Sequence, residues 1–176
     1  YKKYNTLVTD DKEIYLSIDK VYDKNKSDYL INYFNKLIEN LKINKNNITV
    51  EDIKKIHHYL INNISYDDDY TTTENESSTT AYGAITTKKA ICGGYTDAFA
   101  IAMDLLNVPN FKVSSEEHIW NVIYFNNKWY HIDVTWDDDE INKNNITNFF
   151  MISTETLLKK DKSEHNFNIS LYKELY

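Results

Sequence analysis

HIWNVIYFNNKWYHIDVTW, residues 118–136, is dense in β-branched and aromatic side chains and is divided by the pair Asn126-Asn127. Two such runs around two Asn residues predict a β-hairpin, because Asn tolerates the positive φ that a two-residue turn demands. With that turn, Phe125 faces Lys128 and Trp120 faces Asp133. His118 then lies diagonal to Asp133 on one sheet face, roughly 7–8 Å away between backbone positions and within reach of a His–Asp hydrogen bond. A register shifted by one residue would separate them, and an ordinary surface His on an edge strand fits the same spacing. Phe111-Lys-Val113 predicts a third strand beside the hairpin and Asn148 to Ile152 a fourth.

Upstream, the segment 81–94, AYGAITTKKAICGG, reads as a short linear stretch ending in Gly93-Gly94. A helical stripe follows, Tyr95, Phe99, Ala102, Met103 and Leu106, which stops near Asn107, just before Pro109. Cys92 therefore stands at a helix start, where unpaired N–H groups favour a thiolate and can donate to a developing oxyanion. The two glycines would let a substrate backbone approach. A buried structural cysteine fits the same spacing. Together Cys92, His118 and Asp133 supply a nucleophile, a base and a carboxylate to orient the base.

The first half predicts helices. Ile14, Ile18, Val21 and Tyr22 suggest one over Asp10 to Lys24. Tyr29, Leu30, Tyr33, Phe34, Leu37, Ile38 and Leu41 mark a stronger one from Ser27, a plausible N-cap, to Leu41. A third opens at Thr49 with Asp52 three residues on, and its stripe is Ile53, Ile56, His57, Leu60, Ile61 and Ile64. Lys42 to Asn47 is a polar connector, and Asp67 to Thr80, acidic and rich in Ser and Thr, reads as a surface loop. Helices first and antiparallel strands later indicate an α+β domain.

Composition excludes several classes. The 176 residues suit one domain and a sizeable core. The net charge of −7 and the lack of any arginine argue against a nucleic-acid partner. A single cysteine allows no internal disulfide. No stretch approaches the roughly 18 apolar residues of a membrane span. Several Asn-x-Ser/Thr sequons, including those at Asn47, Asn63 and Asn145, are expected by chance in so Asn-rich a chain.

KKAICGGYTDAF (88–99), HIWNVIYFNNKWYHIDVTWDD (118–138) and NFFMIS (148–153) resemble the transglutaminase-like superfamily in its bacterial branch. HHYLINNISYD (57–67) and AYGAI (81–85) resemble it too, so the likeness spans roughly positions 50–155. It implies a papain-like core, with a central helix that starts at the nucleophile and packs on an antiparallel sheet. A helical extension (1–47) and a catalytic core (48–160) would form a single domain over 1–176. The resemblance implies Cys92 as nucleophile, His118 as base and Asp133 as orienting carboxylate. Tyr82 is the implied aromatic helper of the oxyanion, beside Gly93. Trp120 and Trp136 are expected to pack the hairpin against the central helix, or else to line a substrate groove. The implied chemistry is acyl transfer at peptide or Gln side-chain amides without a cofactor, with peptide hydrolysis favoured over cross-linking, and a binding module without catalysis as the other alternative. A protein or peptide substrate, a secreted or cell-surface setting and a cell-wall or surface partner are expected on the same ground; no signal peptide is visible after Tyr1.

Glu116-Glu117 stands where the family often has a small residue, and two carboxylates there could raise the His118 pKa. A metal centre is the rival reading, drawing on His57-His58, His131, Asp133 and the Asp67–Asp69 run. Adjacent helical histidines point about 100° apart and make a poor pair, whereas His131 and Asp133 share a strand face. No metal is expected to serve catalysis. The Asp67–Asp69 and Asp137–Asp139 runs read as solvated loops with, at most, weak Ca²⁺ affinity.

Overall fold

A computed structural model describes residues 3–8, 14–19, 21–71, 76–138 and 147–175. The remaining positions, including 72–75 of the expected surface loop, Asp139 of the second acidic run and the sequon at Asn145, lie outside the described residues.

The hairpin forms as its sequence predicts. Strand β6 (Ile119–Phe125) pairs antiparallel with β7 (Lys128–Ile132), Phe125 opposite Lys128. Asn126 and Asn127 have φ of 49° and 62°, the doubly left-handed turn that matches strand twist. Strand β5 (Asn110–Ser114) pairs with the other edge of β6, giving the order β5-β6-β7. The segment 148–152 does not make a fourth strand. It pairs with β7 through an isolated bridge between His131 and Ile152, and Met151 at φ 53° turns the chain out of the extended region.

Helix α4 (Cys92–Leu105) begins at the cysteine and packs against β6 on one side and against α1 (Lys24–Asn40) and α2 (Val50–Asn63) on the other. Enclosure on both sides explains its small residues, Ala98 and Ala102, beside the buried Tyr95, Phe99 and Met103. Helix α2 opens with the expected Thr49/Asp52 capping box and buries Ile53, Ile56 and Leu60 completely. Helix α1 starts earlier than expected. Its N-cap is Asp23, whose carboxylate accepts from the Lys26 N–H at 2.8 Å, and Ser27 lies inside the first turns. A carboxylate caps as well as a hydroxyl does and also complements the helix dipole.

The N-terminal segment corrects a helix expectation. Residues Ile14–Asp19 form β2, antiparallel to β1 (Lys3–Val8). Ile14, Leu16 and Ile18 alternate with Tyr15, Ser17 and Asp19, which is a period of two, and the four apolar positions chosen between Asp10 and Lys24 could not separate that from a helical period. The expected linear stretch after Thr80 also differs. Ala81–Thr87 is helix α3, capped by the Thr80 side chain and ended by Lys88 at φ 63°. Only Lys89–Ala90 (β4) is extended, parallel to β3 (Ser65–Tyr66).

The sheet is covered on both faces. Ile123 and Ile132 join the main core with α1, α2, α3 and α4. Trp120 and Val122, of opposite parity on β6, meet Val113, Phe149, Leu157 and Phe167 in a second cluster. That cluster rests on the C-terminal segment, which includes helix α6 (Thr154–Lys160). No described helix is long and apolar enough to cross a membrane.

Candidate active site

The start of α4 carries the thiol. Cys92 is partly exposed. The N–H groups of Gly94 and Tyr95 return to the Ile91 carbonyl, which leaves Cys92 and Gly93 at the open end of the helix, where backbone donors face outward. On the facing sheet, a tight turn fixes His118 just before β6. Its N–H donates to the Ser115 hydroxyl at 3.1 Å, and its carbonyl accepts from the Ser115 N–H at 2.9 Å.

His118 Nε2 lies 2.6 Å from Asp133 Oδ2, with both side chains buried. The diagonal geometry read from the hairpin is thus observed, with one refinement. Asp133 has left the strand and N-caps the one-turn helix α5 (Val134–Asp137), its Oδ1 accepting from the Trp136 N–H at 3.1 Å. One carboxylate therefore orients the imidazole and anchors the backbone that carries it.

With Nε2 committed to Asp133, Nδ1 is the nitrogen left to serve the thiol, and Cys92 does act on the ring. Burial opposes a charged imidazole, but hydrogen bonding to and charge on Asp133 and Cys92 outweigh it and push the His118 pKa up to about 10. Burial likewise opposes an ionised Asp133, yet the hydrogen bonds and charges of His118 and His165 bring its pKa down to about 2. Glu116 and Glu117 are exposed in the turn before β6; Asp133 and Cys92, not these carboxylates, raise His118.

Two residues to which the sequence reading gave no role join the site. His165 is fully buried, with Nε2 2.8 Å from the same Asp133 oxygen and Nδ1 2.8 Å from Asp161 Oδ2. Tyr66 is brought to the start of α4 by the pairing of β3 with β4. Partial burial, then the charges of Cys92, Glu164, Asp68 and Asp67, raise its pKa, so its hydroxyl stays a donor. A cleft of about 350 Å³ opens here, lined by Tyr66, His118, Thr135, Trp136, Asp138 and Glu164. The DKSEH spacing (161–165) and the tyrosine after Ile64-Ser65 were the available signals, and neither is specific.

The other expected residues fall differently. Tyr82 sits on α3 with its ring edge-on to Tyr29 at 5.4 Å and the Lys26 ammonium 5.3 Å above it. It faces α1, because a helix replaced the expected linear stretch. Gly93 turns the side where a Cβ would stand toward the Thr79 carbonyl oxygen at 2.9 Å, so the close approach it permits is internal. Trp120 is buried beneath His118, ring centroids 5.7 Å apart, and donates from Nε1 to His131 Nδ1 at 2.9 Å. Its neighbours are the C-terminal rings of His165 and Phe167. Trp136 lines the cleft and donates to Glu164 at 3.2 Å.

The metal readings resolve into hydrogen bonds and ion pairs. His57 Nε2 lies 3.0 Å from Asp137 Oδ2, both buried. His131 bonds Trp120 and Thr154, not Asp133, whose backbone has turned into α5. Asp67 is 3% exposed and accepts from the Ser78 hydroxyl, and Asp137 is 1% exposed, so neither acidic run is simply a solvated loop. Ligand atoms of His118, Asp133 and His165 do lie within 4.8 Å of one another. Both imidazole nitrogens, however, stand at hydrogen-bond distance from one oxygen, 2.6 and 2.8 Å. That spacing places a proton between each pair.

These groups set a pH profile of stability. The raised His118 pKa stabilises fully below about 6.5, and that contribution is lost as pH climbs through about 10. His131 is driven down to about 4 by burial and then by the charge of His165. The unfolded ring takes a proton below 6.5 and the folded one does not, so stability falls as pH drops from 6.5 to 4. Asp133 adds a further loss as pH falls from 3.8 through about 2. Thermal melts from pH 3 to pH 10 are expected to peak near pH 6.5. A midpoint that rises steadily toward pH 10 would contradict the His118–Asp133 coupling.

The Transglutaminase-like superfamily pattern matches residues 35–134, a span that holds Cys92, His118 and Asp133. Among solved structures, a TGase is 22% identical with a TM-score of 0.57, the match covering 66% of this chain and 34% of that one. A proposed cysteine protease from Cytophaga hutchinsonii is 16% identical with a TM-score of 0.46, over 65% of this chain and 43% of that one. The protein thus spans under half the length of either, and the first likeness supports the shared fold alone. No curated protein matches the chain. The family pattern covers more than half of the 176 residues, and the protein belongs to the transglutaminase-like superfamily.

Proposed function

We propose that the protein is a cysteine-dependent enzyme of acyl transfer at amides, acting on peptide or Gln side-chain amides. The observation that carries this reading is the ordered series from the partly exposed start of α4 inward: Cys92, His118, and a buried carboxylate 2.6 Å behind the imidazole. His118 takes the Sγ proton, and the sulfur attacks the amide carbon. The oxyanion is received by N–H groups at the start of α4, and Tyr66 takes the donor role that the sequence had suggested for Tyr82. The His118 imidazolium protonates the leaving nitrogen, which departs as amine or ammonia and leaves a thioester on Cys92. Water, deprotonated by His118, then releases the acid and restores the thiol. The partly exposed Cys92 and the open cleft favour water as acceptor. Glu164 and Asp138 on the rim favour a second reading, in which a cationic amine is gathered there and completes cross-linking.

Wild type and Cys92→Ala, incubated with a peptide library and with a Gln peptide plus labelled amine, separate these outcomes by product mass. Turnover is expected to fall at least about 10³-fold in the alanine variant. Products that persist there would refute the mechanism. A wild type inert to substrates and to iodoacetamide would assign a binding role.

A further inference from the structure

Asp133 serves two imidazoles, and the second one has a partner of its own. His165 Nδ1 faces Asp161 Oδ2 and Nε2 faces Asp133 Oδ2, each at 2.8 Å. Asp161 also accepts from the N–H groups of Ser163, Glu164 and His165 and from the Ser163 hydroxyl. Burial opposes its ionisation, but these bonds hold the Asp161 carboxyl well below the usual carboxylate range. An ionised carboxylate only accepts, so a ring that satisfies Asp161 and Asp133 together must donate from both nitrogens. Such a ring is an imidazolium. The neighbouring His131 cannot share that role: its Nδ1 accepts from the Trp120 indole, which only donates, so His131 is neutral.

We propose that His165 is a positioning residue of the Cys92–His118 pair, a buried imidazolium clamped between Asp161 and Asp133 that fixes Asp133 against His118 and weakens that carboxylate's hold on the catalytic proton. The inference rests on the acyl-transfer reading above. Its chemistry follows from the shared oxygen. His118 Nε2 and His165 Nε2 compete for Asp133 Oδ2, and the two rings meet edge to face with centroids 5.3 Å apart. A fixed positive charge at that distance disfavours a second one on His118. His118 must gain a proton from Cys92 and then give it to a leaving nitrogen, and a base held too strongly by its carboxylate would not release it. The charged or titratable groups around the two rings are Cys92 from α4, Asp133 before α5, Asp161 at the end of α6 and His131 on β7. Tyr66, Asp138 and Glu164 line the same cleft as His118. Beside these, His165 brings its nitrogen to the same Asp133 oxygen that His118 uses.

The test follows ring nitrogens by NMR in the intact protein, between pH 5 and pH 11, in wild type and His165→Gln. Glutamine keeps a neutral donor for Asp133 and removes the charge. Wild-type His165 is expected to show both nitrogens protonated at pH 7. In the variant, the His118 titration is expected to move upward by about one pH unit, a change that loss of packing alone would not produce. A neutral His165 in wild type overturns the proposal even if the variant fails to fold, and so does a His118 titration that His165→Gln leaves in place. Cys92 alkylation by iodoacetamide in wild type is measured in parallel. A thiol that stays inert across the range would sink the acyl-transfer reading itself, whereas a reactive thiol with an unmoved His118 titration would sink this inference alone.

Discussion

Asp133→Ala should remove nearly all activity and a large part of the stability in one substitution. The carboxylate is 1% exposed, and its two oxygens receive His118 Nε2, His165 Nε2 and the Trp136 N–H. Alanine leaves two buried imidazoles without their anion and α5 without its cap. Breaking a buried charge pair costs about 3–5 kcal/mol, and loss of an N-cap adds about 1 kcal/mol. Without its orienter the base is free to adopt the wrong tautomer or rotamer, and turnover should drop about 10⁴-fold. Asp133→Asn divides the two effects. Asparagine caps a helix as well as aspartate does, so much of the α5 anchor survives. With its oxygen kept on the Trp136 N–H, its neutral NH2 group faces both rings and can accept from neither, so the activity loss should stay near that of alanine. Urea denaturation and kcat measured on both variants check this; near wild-type turnover in the Asn protein would remove Asp133 from the mechanism.

Gly83→Ala is expected to be the most disruptive change away from the chemistry. A methyl group on Gly83 would overlap the carbonyl oxygen of Ser77. That carbonyl belongs to the short 3-10 turn Glu76–Thr79, on which α3 and α4 both pack. The turn cannot retreat easily, since the Ser78 carbonyl accepts from the Ile91 N–H at 2.9 Å and its hydroxyl is tied to Asp67. Gly94→Ala meets the same turn, 2.5 Å from the Ser78 oxygen and 2.9 Å from the Ala90 methyl. Each clash is with backbone or a fixed short side chain, so relief requires moving a helix. We expect losses above about 3 kcal/mol for Gly83→Ala, a fall in melting midpoint of about 10 °C in a chain of this size. Gly94→Ala should also slow Cys92 alkylation, because the helix start that carries the sulfur must shift. Wild-type melting of both variants would show that the turn yields.

Much of the site was legible because its signals are local. The Asn126-Asn127 pair sets the turn, the turn sets the register, and the register places His118 diagonal to Asp133. Thr49 and Asp52 satisfy each other's backbone groups within three residues. The switch from Ile91 to the stripe beginning at Tyr95 marks a helix start at Cys92. Each inference needed only backbone preferences and a short period.

What failed was equally physical. Ile14 to Asp19 could be read at either period, and its partner strand lay in a different segment. Tyr82 was assigned to the oxyanion on the strength of an extended stretch that a Thr80 cap converts into a helix. The glycine pair was read as open to substrate, and it is filled by the protein's own turn.

By itself, then, the sequence determined the β6–β7 hairpin with its register and the helix that starts at Cys92, since turn chemistry, side-chain periodicity and strand alternation act over a few residues. Only the tertiary structure decided what surrounds that series. His165 reaches Asp133 across 32 positions, and Tyr66 reaches the start of α4 through a parallel strand pair. Packing of distant segments onto a buried carboxylate leaves no periodic trace along the chain, so no local pattern could announce that Asp133 holds a second histidine.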